Sequence, residues 1–259
     1  MTGFWVVIPA RRASTRLPDK ALADIGGLPM VVRVAQQAKK SGAMRVIVAT
    51  DCPEIQTVCT RDGIETRLTR GDHPSGTDRI AEVATQLEAA DDQIIVNVQG
   101  DEPMMDPTLI AQVADALAHA PHDAVATAAS PIHETDELRN PNVVKVACDG
   151  NGQARYFSRA PIPWHRDTWS SLTDVRADHS GTTSPLLRHI GLYGYRVRAL
   201  QQFVNASPSL LERIEHLEQL RWFTLNHTVQ VVITAQSPHA GVDTVDDLLR
   251  VRALWENQK

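Results

Sequence analysis

Cysteine is scarce in this chain of 259 residues: Cys52, Cys59 and Cys148, none in a C-x-x-C pair. That argues against a disulfide framework and against a cysteine-held zinc site. Long apolar runs are missing too. A run such as Ile94 to Val98 is far below the roughly 18 residues that cross a bilayer. The apolar stretch Phe4 to Ala10 precedes Arg11 and Arg12, the reverse of a secretory signal. The sequence therefore predicts a soluble, cytoplasmic protein. Charge of one sign is not in large surplus: 26 Lys and Arg against 31 Asp and Glu leave a net charge of −5. Overall electrostatics gives no reason to expect nucleic-acid binding. There is no P-loop motif, no G-x-G-x-x-G fingerprint, no H-E-x-x-H pair and no internal repeat. What is present is ordinary globular composition. Apolar residues make up 42% and charged residues 22%, enough to bury a core.

The first half alternates strand-like and helix-like segments. Phe4 to Ala10, Arg45 to Thr50, Glu65 to Thr69 and Gln93 to Gln99 read as strands, two of them continuous apolar runs. Pro29 to Lys40, Pro53 to Arg61, Thr77 to Ala90 and Leu109 to Ala118 read as helices. Gly42 is a stop for the first of these, and Asp106 with Pro107 opens the last. This pattern predicts an α/β fold, a mostly parallel doubly wound sheet. Beyond it the order is less regular. Val143 to Cys148 and Ala154 to Ser158 flank a turn, and Arg188 to Arg196 and Val229 to Ala235 read as further strands. Leu211 to Leu225 reads as one strong helix with Ile214, Leu217, Leu220, Trp222 and Leu225 on its apolar face. Val245 to Trp255 closes the chain. The expectation is a single domain over 1–259, with a smaller mixed α/β subregion. Residues 166–184 read as a polar loop.

Parallel sheets bind ligands beyond the carboxyl ends of their strands. The loop after Ala10 carries Arg11, Arg12, Arg16 and Lys20, four cations in ten residues. Guanidinium forks and a compact ammonium suit phosphate oxygens, and Ser14 and Thr15 would add to such a cradle. The competing reading is a solvated basic loop. The loop after Gln99 offers Asp101, free for a hard cation because Asp106 caps the next helix. Asp243, just before a helix, could equally be a plain cap, although Thr244 and Asp247 form a capping-box-like helix start that would leave it available. In His73–Arg79, small residues permit close approach to backbone, although Ser75 or Thr77 could equally be a plain cap. The ten histidines form no tight cluster. His119 and His122 read as surface residues, and His189, on an apolar strand, as a core histidine. Arg159, Tyr193, Glu218 and Gln219 are polar residues on otherwise apolar segments, and pattern alone does not single them out.

Together these segments resemble a family. Pro9-Ala10-Arg11-x-x-Ser14-x-Arg16-Leu17-Pro18-x-Lys20 resembles the nucleotide-binding loop of cytidylyltransferases that activate acidic keto-sugars. The similarity is strongest to those acting on 3-deoxy-D-manno-octulosonate (Kdo). It recurs, in order, at Asp72–Thr77, Val96–Pro103, Tyr156–Arg159, Arg188–Tyr195, Leu217–Arg221 and Gly241–Thr244.

The resemblance implies a nucleotide-diphospho-sugar transferase-like fold. It also implies a Mg²⁺-dependent transfer of CMP from CTP to Kdo, as in lipopolysaccharide synthesis, by a homodimer. By the same resemblance, Ala10, Arg11, Ser14, Arg16 and Lys20 bind the nucleotide, and Ser75 and Gly76 lie near the cytosine. Asp101 and Asp243 hold the metal. Gln99, Arg159, His189, Tyr193, Glu218 and Gln219 line the sugar-acid pocket. Arg11, Lys20, Asp101 and Asp243 serve catalysis. Residues 1–150 would then mainly bind nucleotide, and 151–259 mainly sugar and the second protomer. Arg12 stands where the resemblance suggests an aromatic residue, and His165 where it suggests an acid. An 8-amino-Kdo or a sialic acid is the neighbouring substrate reading. A CTP-binding module without turnover, or a phosphate-binding structural protein, is the reading from another class.

Overall fold

The computed structural model describes residues 3–12, 16–120, 124–164, 166, 186–235 and 241–256. His122, His165 and nearly all of the predicted loop 166–184 lie outside them.

The first strand, β1 (Trp5–Ala10), is buried almost throughout. Successive side chains of a strand point to opposite faces. Val6 and Ile8 accordingly enter one core cluster and Val7 the other. A buried aliphatic side chain of this kind contributes about 1.5–3 kcal/mol. Two short strands, β2 (Asp24–Ile25) and β3 (Leu28–Pro29), form a small hairpin before α1 (Met30–Lys39). Gly42, at a φ of 81° that L side chains rarely adopt, turns the chain after α1 as the sequence suggests. Then come β4 (Arg45–Thr50), α2 (Pro53–Arg61), β5 (Glu65–Leu68), α3 (Gly76–Gln86) and β6 (Ile94–Asn97). The helix α3 is shorter than the predicted Thr77 to Ala90. Its end is turned by Glu88, which adopts a left-handed φ of 49°. Asp106 caps α4 (Pro107–His119) by accepting from Thr108 N at 2.8 Å.

Three elements absent from the sequence reading follow or intervene: β7 (Val125–Pro131), α5 (Thr135–Arg139) and, after β10, α6 (Val197–Asn205). The strands β8 (Lys145–Cys148) and β9 (Ala154–Ser158) pair as a hairpin, and β10 (Leu187–Arg196) runs beside them. The single helix expected over Leu211 to Leu225 is not formed. There is α7 (Leu210–Glu215), then a 3₁₀ turn (Glu218–Leu220), then α8 (Arg221–Thr224). His216 breaks the run with a left-handed φ of 51°, and Ile214, expected on the apolar face, is 66% exposed. The chain closes with β11 (Val229–Ile233) and α9 (Val245–Glu256).

The sheet order is β11-β7-β10-β6-β1-β4-β5, with β8 and β9 attached through β10. β1, β4, β5 and β6 are mutually parallel, and β10 runs antiparallel between β6 and β7. Helices α1, α2, α4 and α9 cover one face, and α3 and α6 with Trp222 cover the other. The chain leaves β1 toward β4 and β5, then returns to β6 on the opposite side of β1. That reversal places a crevice at the carboxyl ends of β1 and β6.

Candidate active site

The crevice is a cleft of about 640 Å³. Its lining includes Ala10, Arg11, Arg16, Lys20, Ser75, Gly76, Gln99, Asp101 and Asp243, all expected from the sequence. Pro9, Gly71, His73, Arg79 and Gly100 line it as well. Ser14 lies outside the described residues. The walls meet closely. A side chain on Gly100 would put a Cβ 2.7 Å from Pro9 O, so glycine is required where the β6 loop crosses the end of β1.

Three segments far apart in sequence bring charge to one end of the cleft. Lys20 opens the 3₁₀ turn Lys20–Leu22, Asp101 follows β6, and Asp243 precedes α9. The last two loops are tied by Val242 N donating to Asp101 O at 2.8 Å, with Val242 fully buried. Thr244, with Asp247 as its capping-box partner, caps α9 in place of Asp243. Thr244 Oγ1 accepts from Asp247 N at 3.2 Å, and Asp247 Oδ2 accepts from Thr244 N at 3.0 Å. The Asp243 carboxylate is left for the cleft, as the capping-box spacing suggests.

Lys20 Nζ donates to Asp101 Oδ2 at 2.5 Å and to Asp243 Oδ1 at 3.0 Å. Burial lowers the pKa of this amine, but its two acidic partners outweigh burial and raise it above the ordinary lysine value. Arg16 Nη2 reaches Asp243 Oδ2 at 3.1 Å. Beside them, Glu102 has one carboxylate oxygen buried without a partner among the described residues. Burial, then the charges of Asp101 and Asp243, push its pKa up to about 8. Arg12 points elsewhere: it pairs with Asp19 at 2.7 Å and Glu54 at 3.0 Å, latching the loop to α2.

On the opposite wall Ser75 caps α3, accepting from Asp78 N at 3.3 Å, so the plain-cap reading of Ser75 holds alongside its place in the cleft. His73 pairs with Glu82, and Arg79, buried within α3, holds Thr69 Oγ1 at 2.5 Å and Asp51 at 3.3 Å. Neither His73 nor Arg79 stood out as a site residue in the sequence. An arginine on the buried face of an amphipathic helix was the available signal.

The remaining predicted positions form a band next to the cleft. Thr77 Oγ1 donates to Glu218 Oε1 at 2.6 Å, joining α3 to the 3₁₀ turn that holds Glu218 and the buried Gln219. Burial raises the pKa of Glu218, and the Thr77 hydrogen bond opposes it. Tyr193 pairs with Asn97 across β10 and β6 and stacks on Tyr195 at 5.8 Å. The Tyr193 hydroxyl and Asn97 Oδ1 are both buried without a hydrogen bond of normal geometry among the described residues. Buried orphans of this kind call for a partner. Asn97 was missed, because a single polar residue ending an apolar strand gives little signal. The His189 ring lies 5.3 Å from that of Tyr193 and edge-on to Phe157, and Thr127 satisfies one ring nitrogen. Arg159 lies beyond. Its guanidinium donates to the backbone carbonyls of Glu215 at 2.7 Å, Pro141 at 3.0 Å and His216 at 3.3 Å.

A sheet switch point with cations, two carboxylates and a close backbone wall is a polyphosphate site in outline. A family model described as cytidylyltransferase matches residues 5–231. The solved structure of a CMP:2-keto-3-deoxy-manno-octonic acid synthetase complexed with CTP is 36% identical, with a TM-score of 0.88, over 99% of this chain and 100% of that one. A cytidylyltransferase from Leptospira borgpetersenii serovar Hardjo-bovis shares the fold at 14% identity and a TM-score of 0.60, over 99% of this chain and 87% of that one. So does a protein from Bacillus anthracis, assigned as a glucose-1-phosphate thymidylyltransferase and solved with sucrose, at 13% identity and a TM-score of 0.67, over 98% and 96% of the two chains. The fold is thus that of sugar nucleotidyltransferases, and the chain belongs to the cytidylyltransferase family.

Proposed function

We propose that this protein transfers CMP from CTP to Kdo, releasing pyrophosphate, in a Mg²⁺-dependent reaction. The observation that carries the reading is the convergence of Lys20, Asp101 and Asp243 at one end of the cleft. Full-length similarity to a CMP:2-keto-3-deoxy-manno-octonic acid synthetase supports the choice of sugar. The same reading makes the chain a cytoplasmic homodimer serving lipopolysaccharide synthesis.

The donor set fits the metal. The Lys20 ammonium marks a point between two carboxylates where a cation is stable. Hard carboxylate oxygens suit Mg²⁺, which usually takes one or two of them and completes its shell with phosphate and water. That agrees with the absence, among the described residues, of any group of three or more potential ligands. Bound by Asp101 and Asp243, the ion would supply charge neutralisation and a lowered pKa for the attacking hydroxyl.

The anomeric hydroxyl of the sugar acid attacks the α-phosphorus in line, forming a P–O bond as the bond to pyrophosphate breaks. Arg11, Arg16 and Lys20 neutralise charge on the triphosphate, and Lys20 follows the charge that builds on the leaving group. Ser75 and Gly76 offer backbone groups to the base. Gln99, His189, Tyr193, Glu218 and Gln219 shape the sugar side. Arg159 pairs with the sugar carboxylate through the N–H groups left over from the three backbone carbonyls it holds.

The test is phosphorus NMR of the product formed from CTP and Kdo. The expected result is a new phosphodiester signal with stoichiometric pyrophosphate. D101N and D243N are each expected to lose most turnover with unchanged circular dichroism. Near-normal turnover in either variant removes that residue from the metal site. CTP binding without any phosphodiester would leave a binding module. The paired carboxylates speak against that, because binding alone does not need them.

A further inference from the structure

The carboxylates assigned to the metal are already engaged. Lys20 Nζ sits 2.5 Å from Asp101 Oδ2 and 3.0 Å from Asp243 Oδ1, and Arg16 Nη2 sits 3.1 Å from Asp243 Oδ2. Three of the four carboxylate oxygens therefore carry a cationic donor. An ammonium and a divalent cation compete for the same lone pairs at nearly the same place. Charge-assisted hydrogen bonds of this length are the strong ones, and the Lys20 side chain is only 18% exposed.

We infer that Lys20 is the resident counter-ion of the Asp101–Asp243 pair, and that it must leave before a divalent cation can enter. The inference rests on the proposed reading of those two carboxylates as metal ligands. A triphosphate is the group able to draw Lys20 away, because it brings concentrated negative charge to the same end of the cleft. Lys20 then has two stations: the carboxylate pair without nucleotide, and the phosphates with it. Metal entry is thereby coupled to nucleotide binding.

The local structure permits such a move. The backbone at Lys20 is held by the 3₁₀ turn, with Leu22 N donating to Asp19 O at 2.8 Å and Ala23 N to Lys20 O at 3.1 Å. The neighbouring Ala21 is buried. The four-carbon stem of lysine is flexible, so the ammonium can swing on a fixed anchor. Without nucleotide, Lys20 also relieves the repulsion between two adjacent carboxylates.

The test measures Mn²⁺ binding to the full chain without nucleotide, read by the electron paramagnetic resonance of the free ion. K20Q is expected to bind Mn²⁺ about tenfold or more tightly than wild type, because a charged competitor is gone. K20R keeps the charge and is expected to stay near wild type. The gain is expected to vanish in K20Q/D101N. K20M serves as the second charge-removing variant if K20Q does not fold. If charge removal gives no gain while D101N weakens wild-type binding, the counter-ion role falls and the metal reading stands. If the gain persists in K20Q/D101N, or if neither K20Q nor D101N changes Mn²⁺ binding, both fall.

Discussion

The Thr127 hydroxyl lies 2.8 Å from Leu192 O and 2.9 Å from His189 Nε2, tying the ring to the strand that carries it. Burial pushes the His189 pKa down to about 3, and the ring is neutral in the folded protein at neutral pH. An unfolded histidine titrates near 6.5. Between those values the unfolded state binds the extra proton, so this contribution to stability is complete above about pH 6.5 and falls as pH falls. Urea midpoints are therefore expected to drop more for wild type than for His189→Gln between pH 7.5 and 5. Parallel curves would show that the ring protonates in place.

Lys20→Ala is expected to slow the chemical step by about 10²–10³, the range for a lost electrostatic stabiliser. An unchanged single-turnover rate would return Lys20 to a surface charge. At this scale the sequence was informative where charge is concentrated, as in Arg11 to Lys20. It was silent on Asn97, whose importance comes only from Tyr193 opposite it.

Among the elements, the broken run from α7 to α8 is held by a side-chain pair. Arg221 grips Glu212 through Nε at 2.9 Å and Nη2 at 2.5 Å, with its guanidinium 4.1 Å from the Phe203 ring. Both side chains are largely buried, so Glu212→Gln leaves an unpaired buried charge and is expected to cost about 3–5 kcal/mol in denaturant unfolding. A cost near zero would mean that Arg221 finds water.

Gly100→Ala forces the β6 loop off Pro9 O. It is expected to cost about 1–3 kcal/mol of stability and to lower kcat by displacing Asp101. Unchanged kcat and stability would show that the wall yields freely.

The capping box of Ser209 and Glu212 is readable as S-x-x-E, but the left-handed His216 is not, because no glycine or proline marks it. The strand β7 is hard to read for a different reason. Val125–Pro131 is rich in alanine, and it becomes a strand because β10 and β11 flank it.

For the whole molecule, the decisive feature is β10, which enters from the second half of the chain between β6 and β7. Without it both strands lose a partner, one face of the sheet loses Leu192 and the other loses Tyr193 and Tyr195. A fragment of residues 1–150 is expected not to fold, as judged by dispersion of its amide spectrum. A well-dispersed spectrum would make the nucleotide half independent. Parallel strands and the switch point were legible because buried strands and amphipathic helices alternate through Asn97. The cleft draws on four stretches far apart in the chain, represented by Arg11, Ser75, Asp101 and Asp243. Only a resemblance, not local spacing, could link Asp243 to Asp101 across the chain.

The most direct measurement is pyrophosphate release by purified protein with Mg²⁺, crossing CTP, UTP, ATP and GTP against Kdo, 8-amino-Kdo and sialic acid. The account predicts release with CTP and Kdo, and loss of that release on removing the metal with a chelator. No release with any pair, from folded protein that binds CTP, would contradict it.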